Sequence, residues 1–172
     1  MDPSPPCPSS CPVPELAASG PLPAELAGFR SVIELPITWG DQDAIGHVNN
    51  TVPIRWFESS RIALLDHDEF RRLLEAAGVG PILAAVSCNY RRQLHYPDRV
   101  LVGSRIVRIG RTSFRMEHVV WSRRLGCVAA EGDCTCVLLD YAAGTPRPIS
   151  AELVAAAERF EGRPIERAGT AG

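Results

Sequence analysis

The fold turns on two consecutive stretches, WGDQDAIGHVNN (residues 39–50) and TVPIRWFESSRIALLDH (residues 51–67). The first gathers two carboxylates, one histidine, two glycines and two asparagines into twelve positions. The second carries apolar residues at Val52, Ile54, Trp56, Phe57, Ile62, Ala63, Leu64 and Leu65, around most of a helical circumference. A helix that is apolar on nearly all sides belongs inside a protein rather than on its surface. Its expected span is about Asn50 to His67, with Pro53 in the first turn, where a missing N–H costs nothing. A dense polar loop at the mouth of a buried helix calls for a functional or a capping explanation.

Working outward, RSVIELPITW before the loop alternates as a strand should, and DEFRRLLEAAG after the long helix reads as a short helix ending at Gly78. Strand patterns follow in PILAAVSCNYRRQL, DRVLVGSRIVRIG, RTSFRMEHVVWSR and GCVAAEGDCTCVLLDY, the middle pair separated by Gly110 and Arg111 as in a hairpin. Ser150 is placed to cap a last amphipathic helix, AELVAAAERFEG. One strand, one long helix and then four strands in meander order predict an α+β protein, a five-stranded antiparallel sheet curled round a central helix with its outer face free. Sheet edges need cover, and pairing across a dimer is a common solution.

At 172 residues the chain fits one domain with a real core. Residues 1–29, rich in Pro, Ser, Gly and Ala, lack apolar periodicity and are expected to be a disordered tail with room for a short helical turn near Pro23 to Ala27. The domain is expected over residues 30–163, with a flexible C-terminal tail over 164–172. The first segment has neither the basic start nor the continuous apolar core of a signal peptide. A net charge of −2 provides no excess for nucleic acid, and no apolar run approaches the roughly 20 residues of a membrane helix. Of six cysteines, Cys7 and Cys11 fall in the tail, Cys88 and Cys127 stand apart, and Cys134 and Cys136 point to one face of a strand. Neither a redox nor a zinc spacing results, so reduced thiols and a cytoplasmic protein are expected.

In the polar loop, the start of the long helix offers free backbone N–H groups and a partial positive charge, able to hold a developing oxyanion. Gly46 permits close approach, and Asp43 can lie beside that helix end. A carboxylate next to an oxyanion-binding terminus suits acyl transfer, the carboxylate activating water or attacking directly. Asp41 or Asp43 capping a turn, and Asn49 or Asn50 capping the helix, explain the same residues without any chemistry. A calcium loop is ruled out by Ile45 and Val52 at ligand positions, and zinc through Asp41, Asp43 and His47 lacks a further ligand.

The stretch WGDQDAIGHVNNTVPIRWFESSR resembles the signature of the 4-hydroxybenzoyl-CoA thioesterase family of hotdog-fold proteins, and the likeness continues through VSCNYRRQLHYPDRVLVGSRIVRIGRTSFRMEHVV and VAAEGDCTCVLLDYAAGTPRPIS, covering about Arg30 to Ala157. The resemblance implies a hotdog fold, a homodimer or dimer of dimers with shared sites, and hydrolysis of an acyl-CoA thioester without cofactor or metal. By position, Asp43 matches the catalytic carboxylate and Asn50 the residue whose backbone N–H polarises the thioester carbonyl. Gly46, His47 and Asn49 match positions lining the same loop. Arg111, Thr112 and Ser113 match a turn from which some relatives reach CoA across the subunit boundary. Glu58 and Arg61, three apart on the helix, match a structural pair. Pro53 departs from the family's usual Tyr and leaves the acyl group open. An acyl-carrier-protein thioesterase and a non-catalytic acyl-thioester binder remain as alternatives; a hotdog hydratase fits less well, because Asp43 and His47 do not supply its Asp–His spacing. His67, His95 and His118 are expected in packing or surface roles, His95 being the one near the polar loop.

Overall fold

The computed structural model describes residue 18 and residues 20–168. Seven strands and three α-helices are present among them: β1 Ser31–Ile37, α1 Val52–Leu65, α2 Asp68–Ala77, β2 Val79–Tyr90, β3 Asp98–Ile109, β4 Ser113–Ser122, β5 Cys127–Asp140, β6 Thr145–Pro146, α3 Ala151–Glu161 and β7 Glu166–Arg167. The five long strands form a curled antiparallel sheet in the order β1-β3-β4-β5-β2, the hotdog arrangement predicted, with the two-residue strands β6 and β7 added on β5 and β3. No described helix is long and apolar enough to cross a membrane.

The meander holds only for β3, β4 and β5. β2 does not pair with β3, because β1 already occupies that flank; it crosses to the free side of β5 and forms the opposite edge. Paired residues share a face of the sheet. Leu83, Val86, Cys88 and Tyr90, opposite Cys136, Cys134, Gly132 and Ala130, therefore point to the side where the helix lies.

α1 is buried along one stripe, Val52, Pro53, Trp56, Phe57, Ser60, Arg61 and Leu64, rather than all round. The sheet embraces only one side of it, and Ile62 on the other side is 52% exposed. Close approach is set by Gly132, where a Cβ would stand 2.9 Å from the Phe57 ring and 2.0 Å from the Ser87 carbonyl oxygen. Phe57 stacks on His118 at 4.8 Å between ring centroids.

The outer face of the sheet is partly covered. Leu26, in a 3-10 turn over Ala24–Leu26, and Phe29 are buried against Leu101 with Val32, Val119 and Trp121 around them. The tail expected over residues 1–29 thus gives way to packed chain from about residue 24: two large apolar side chains have a surface to cover. Cys7 and Cys11 lie outside the described residues. At the other end, Ile165 is 4% exposed and Glu166–Arg167 pairs with β3, so packed chain continues past residue 163.

Candidate active site

Thr38 to Asn50 is tied down almost bond by bond. Asp41 accepts from the Thr38 N–H and hydroxyl at 2.8 Å each and faces Arg55 Nη2 at 3.2 Å, so its carboxylate serves the turn Trp39–Asp41. Asp43 divides its oxygens. Oδ1 accepts from the Ile45 N–H at 2.8 Å, closing a tight turn, while Oδ2 stands 3.6 Å from His47 Nδ1. Gly46 takes a φ of 88° in this turn, a conformation in which a side chain would be strained. Its carbonyl accepts from His95 Nδ1 at 2.8 Å, which leaves His95 protonated on that nitrogen.

The helix entrance is equally determined. Asn49 Oδ1 accepts from both the N–H (2.9 Å) and the hydroxyl (2.8 Å) of Thr51. Of the backbone N–H groups from Val48 to Val52, Val48 donates to the Leu94 carbonyl (2.7 Å), Asn49 to that of Asp41 (2.8 Å) and Val52 to that of Asn49 (3.0 Å). With Thr51 also engaged, the Asn50 N–H alone has no acceptor among the described residues.

Asp43, His47 and Asn50 line one cleft of about 290 Å³. Its floor is Val48 and Pro53 from the helix entrance, and its far wall is Ala129 and Ala130 of β5. Tyr90, Arg91 and Arg92, at the end of β2 and just beyond, complete it. Arg91 is paired with Glu131, whereas Arg92, held by a 2.8 Å bond to the Arg91 carbonyl, is in no ion pair among the described residues. Capping accounts for Asp41, Asn49 and one oxygen of Asp43, and the loop residues that line the cleft are Asp43, His47, Val48 and Asn50.

Arg111, Thr112 and Ser113 are not brought there. They sit at the hairpin beyond β3, whose other end adjoins the cleft, and the 12 residues of that strand span roughly 36 Å. Within one chain their backbone joins the surrounding elements, the Arg111 and Thr112 carbonyls accepting from the Ile149 and Leu138 N–H groups at 2.8 Å each. Glu58 is largely exposed and only 4.0 Å from Arg61, so the expected structural pair is weak. Arg61 is the buried member and points its guanidinium at Cys134 Sγ, 4.0 Å away. The walls from β2 and β5 escaped the sequence reading, since nothing local links Tyr90 or Ala130 to Asp43; only His95 carried a hint, by its nearness to a loop. A separate, wholly apolar cavity of about 40 Å³ between Leu65, Phe70, Ile106, Phe114 and Leu153 lies toward the far end of α1 and offers no reactive group.

This curled sheet with its long helix is shared with known proteins. Residues 37–157 match the model of the Thioesterase-like superfamily, and the chain belongs to that family. The match is to the superfamily as a whole, broader than the 4-hydroxybenzoyl-CoA branch that the sequence resembles. A thioesterase from Thermus thermophilus, solved with coenzyme A and zinc, is 33% identical, with 80% of this chain and 99% of that one covered and a TM-score of 0.69. A thioesterase-superfamily protein from Jannaschia sp. CCS1 is 28% identical over 87% and 98% of the two chains, with a TM-score of 0.69. A putative thioesterase from Pseudomonas aeruginosa is 28% identical over 74% and 98%, with a TM-score of 0.65. No curated protein matches the chain.

Proposed function

We propose that the protein hydrolyses an acyl-CoA thioester to the free acid and CoA, in the manner of the 4-hydroxybenzoyl-CoA thioesterases. The observation that carries the reading is that one cleft is lined both by Asp43, one of whose oxygens its turn leaves free, and by Asn50, whose N–H has no acceptor among the described residues. The Asn50 N–H donates to the thioester oxygen, and the charge growing on that oxygen in the transition state strengthens the bond. Asp43 Oδ2 takes the proton of a water that attacks the carbonyl, or attacks the carbonyl itself to form an anhydride that water then hydrolyses, and in either route the C–S bond breaks and the CoA thiolate leaves. His47 and Asn49 shape the loop around these two groups. Arg92, a cation of the cleft wall outside any described ion pair, suits a CoA phosphate. The Thermus relative solved with coenzyme A supports the choice of CoA as carrier.

The functional unit in this reading is a homodimer. β2 is an edge strand, and its helix-side residues Leu83 and Val86 are 41% and 36% exposed because α1 does not reach over them. An apolar edge of this kind is covered in most native proteins, and a second copy paired along β2 would cover it. A second copy is also the route by which Arg111, Thr112 and Ser113 reach a cleft.

The test is hydrolysis of short, medium, long and aromatic acyl-CoAs, followed with a thiol-trapping reagent. Asp43→Asn is expected to lower turnover at least ~100-fold, the scale of a lost general base, with the melting temperature little changed. Full activity in that variant sinks the assignment of Asp43. Tight binding of the same panel by the wild type without turnover favours a non-catalytic acyl-thioester binder instead.

A further inference from the structure

The Asn50 carbonyl stands outside the helical ladder, which begins with the bond from the Arg55 N–H to the Thr51 carbonyl at 3.3 Å. It accepts instead from the Tyr90 hydroxyl, which arrives from another element, the last residue of β2. The register explains the reach. Tyr90 lies opposite Ala130 on the helix side of the sheet, and a residue as small as alanine leaves the ring a path across the cleft to the helix entrance.

The peptide between Asn50 and Thr51 is consequently held at both ends, its oxygen by Tyr90 and its nitrogen by Asn49 Oδ1 at 2.9 Å. The second hold is internal to the turn and moves with it. Tyr90 is the tie from that peptide to the sheet. A free N–H contributes to a transition state only if its direction is set beforehand, because reorienting it during the reaction costs part of what the bond returns. Without the tie, rotation about the Asn50 backbone is opposed by one bond fewer, and the adjoining N–H loses its aim.

We propose that Tyr90 is a positioning residue: its hydroxyl, by holding the Asn50 carbonyl, keeps the Asn50 N–H directed into the cleft. The role in hydrolysis rests on the reading of Asp43 and Asn50 as the reacting pair; the hold on the turn does not. Tyr90 is 49% exposed, so Tyr90→Phe removes the donor and keeps the ring with little risk to the fold.

The experiment measures three things on the full chain for wild type, Tyr90→Phe and Asp43→Asn: kcat and KM for octanoyl-CoA and benzoyl-CoA, the melting temperature, and hydrogen exchange at the amide of Thr51. Tyr90→Phe is expected to lower kcat about tenfold with KM within about twofold, the loss of one well-placed hydrogen bond. Exchange at the Thr51 amide, bonded to Asn49 Oδ1, should quicken by a similar factor while the amides of β2 and the melting temperature stay as they were. Unchanged kcat in Tyr90→Phe, or a rise in KM alone, overturns the positioning role while an inactive Asp43→Asn leaves the thioesterase reading standing. A fully active Asp43→Asn overturns that reading and with it the role in hydrolysis. Should the wild type turn over neither thioester, the exchange data decide alone: an unaltered rate at Thr51 overturns the hold itself.

Discussion

Cys134 shows how much a single side chain can be asked to do by its neighbours. Its sulfur is fully buried, 3.2 Å from His118 Nε2 and 4.0 Å from Arg61 Nη1. His118 Nδ1 is 2.7 Å from the Ser104 hydroxyl, which donates to Ser60, which donates to the Val102 carbonyl. With both hydroxyl protons committed, His118 donates to Ser104. The thiol of Cys136, His118 and the Arg61 guanidinium together hold the Cys134 thiol well below its ordinary pKa of 9.0, while the same contact pushes Cys136 up. A pKa lowered on folding means that the folded state binds fewer protons than the unfolded one across the neutral range. That stability is therefore present in full above the ordinary thiol range and lost as pH falls toward the folded value. Cys134→Ser is expected to lose more stability relative to wild type at pH 8 than at pH 5, read by denaturant unfolding at both. An equal loss at the two pH values sinks the thiolate. The sequence shows two thiols on one face of a strand; that one of them meets a buried guanidinium depends on α1 lying across β5.

At the scale of elements, the contact that matters most is α1 against the sheet. Gly132 makes it possible, since a Cβ there meets the Phe57 ring and the backbone of β2 at once. Gly132→Ala is expected to cost about 1–3 kcal/mol by overpacking, measured by denaturant unfolding, because neither a stacked ring nor a paired strand can give way cheaply. A cost near zero would mean that α1 rides higher on the sheet than described. Element positions were largely legible in advance: the boundaries of α2 and α3, the β3–β4 hairpin and the Ser150 cap, which accepts from the Leu153 N–H at 3.2 Å, follow local signals. The place of β2 was not, since its pattern is that of any half-apolar strand. Nor was the partial exposure of α1, whose apolar residues run round the helix whether a sheet covers one side or both.

For the whole molecule, the edge of β2 is where packing within one chain stops short. Val86→Lys, on the helix side of that edge, is expected to convert a dimer to a monomer in sedimentation velocity and to lower hydrolysis in parallel if the partner's hairpin contributes to the cleft. A wild type that sediments as a monomer rules the dimer out. The covered part of the outer face makes the opposite point: Leu26 and Phe29 seat on Leu101, and a Cβ on Gly103 would meet both at under 3 Å. Composition marked this segment as tail, because two apolar residues among prolines and alanines carry no period; only a waiting surface makes them core.

Legible in the sequence were the element order, the curled sheet with one long helix, and a polar loop at the helix mouth that capping and chemistry explain equally, all of them properties of spacing along the chain. The tertiary structure decided which groups the loop keeps for itself and which it presents. Asp41 and Asn49 are consumed by their own turns, Arg111 is carried to the far end of the sheet, and Tyr90 and Arg92 are delivered from β2 and its exit to the cleft. The reason is physical: a hydrogen bond to a neighbour in sequence can be read from spacing, whereas a wall built from strands many residues apart exists only once register and curl have been set.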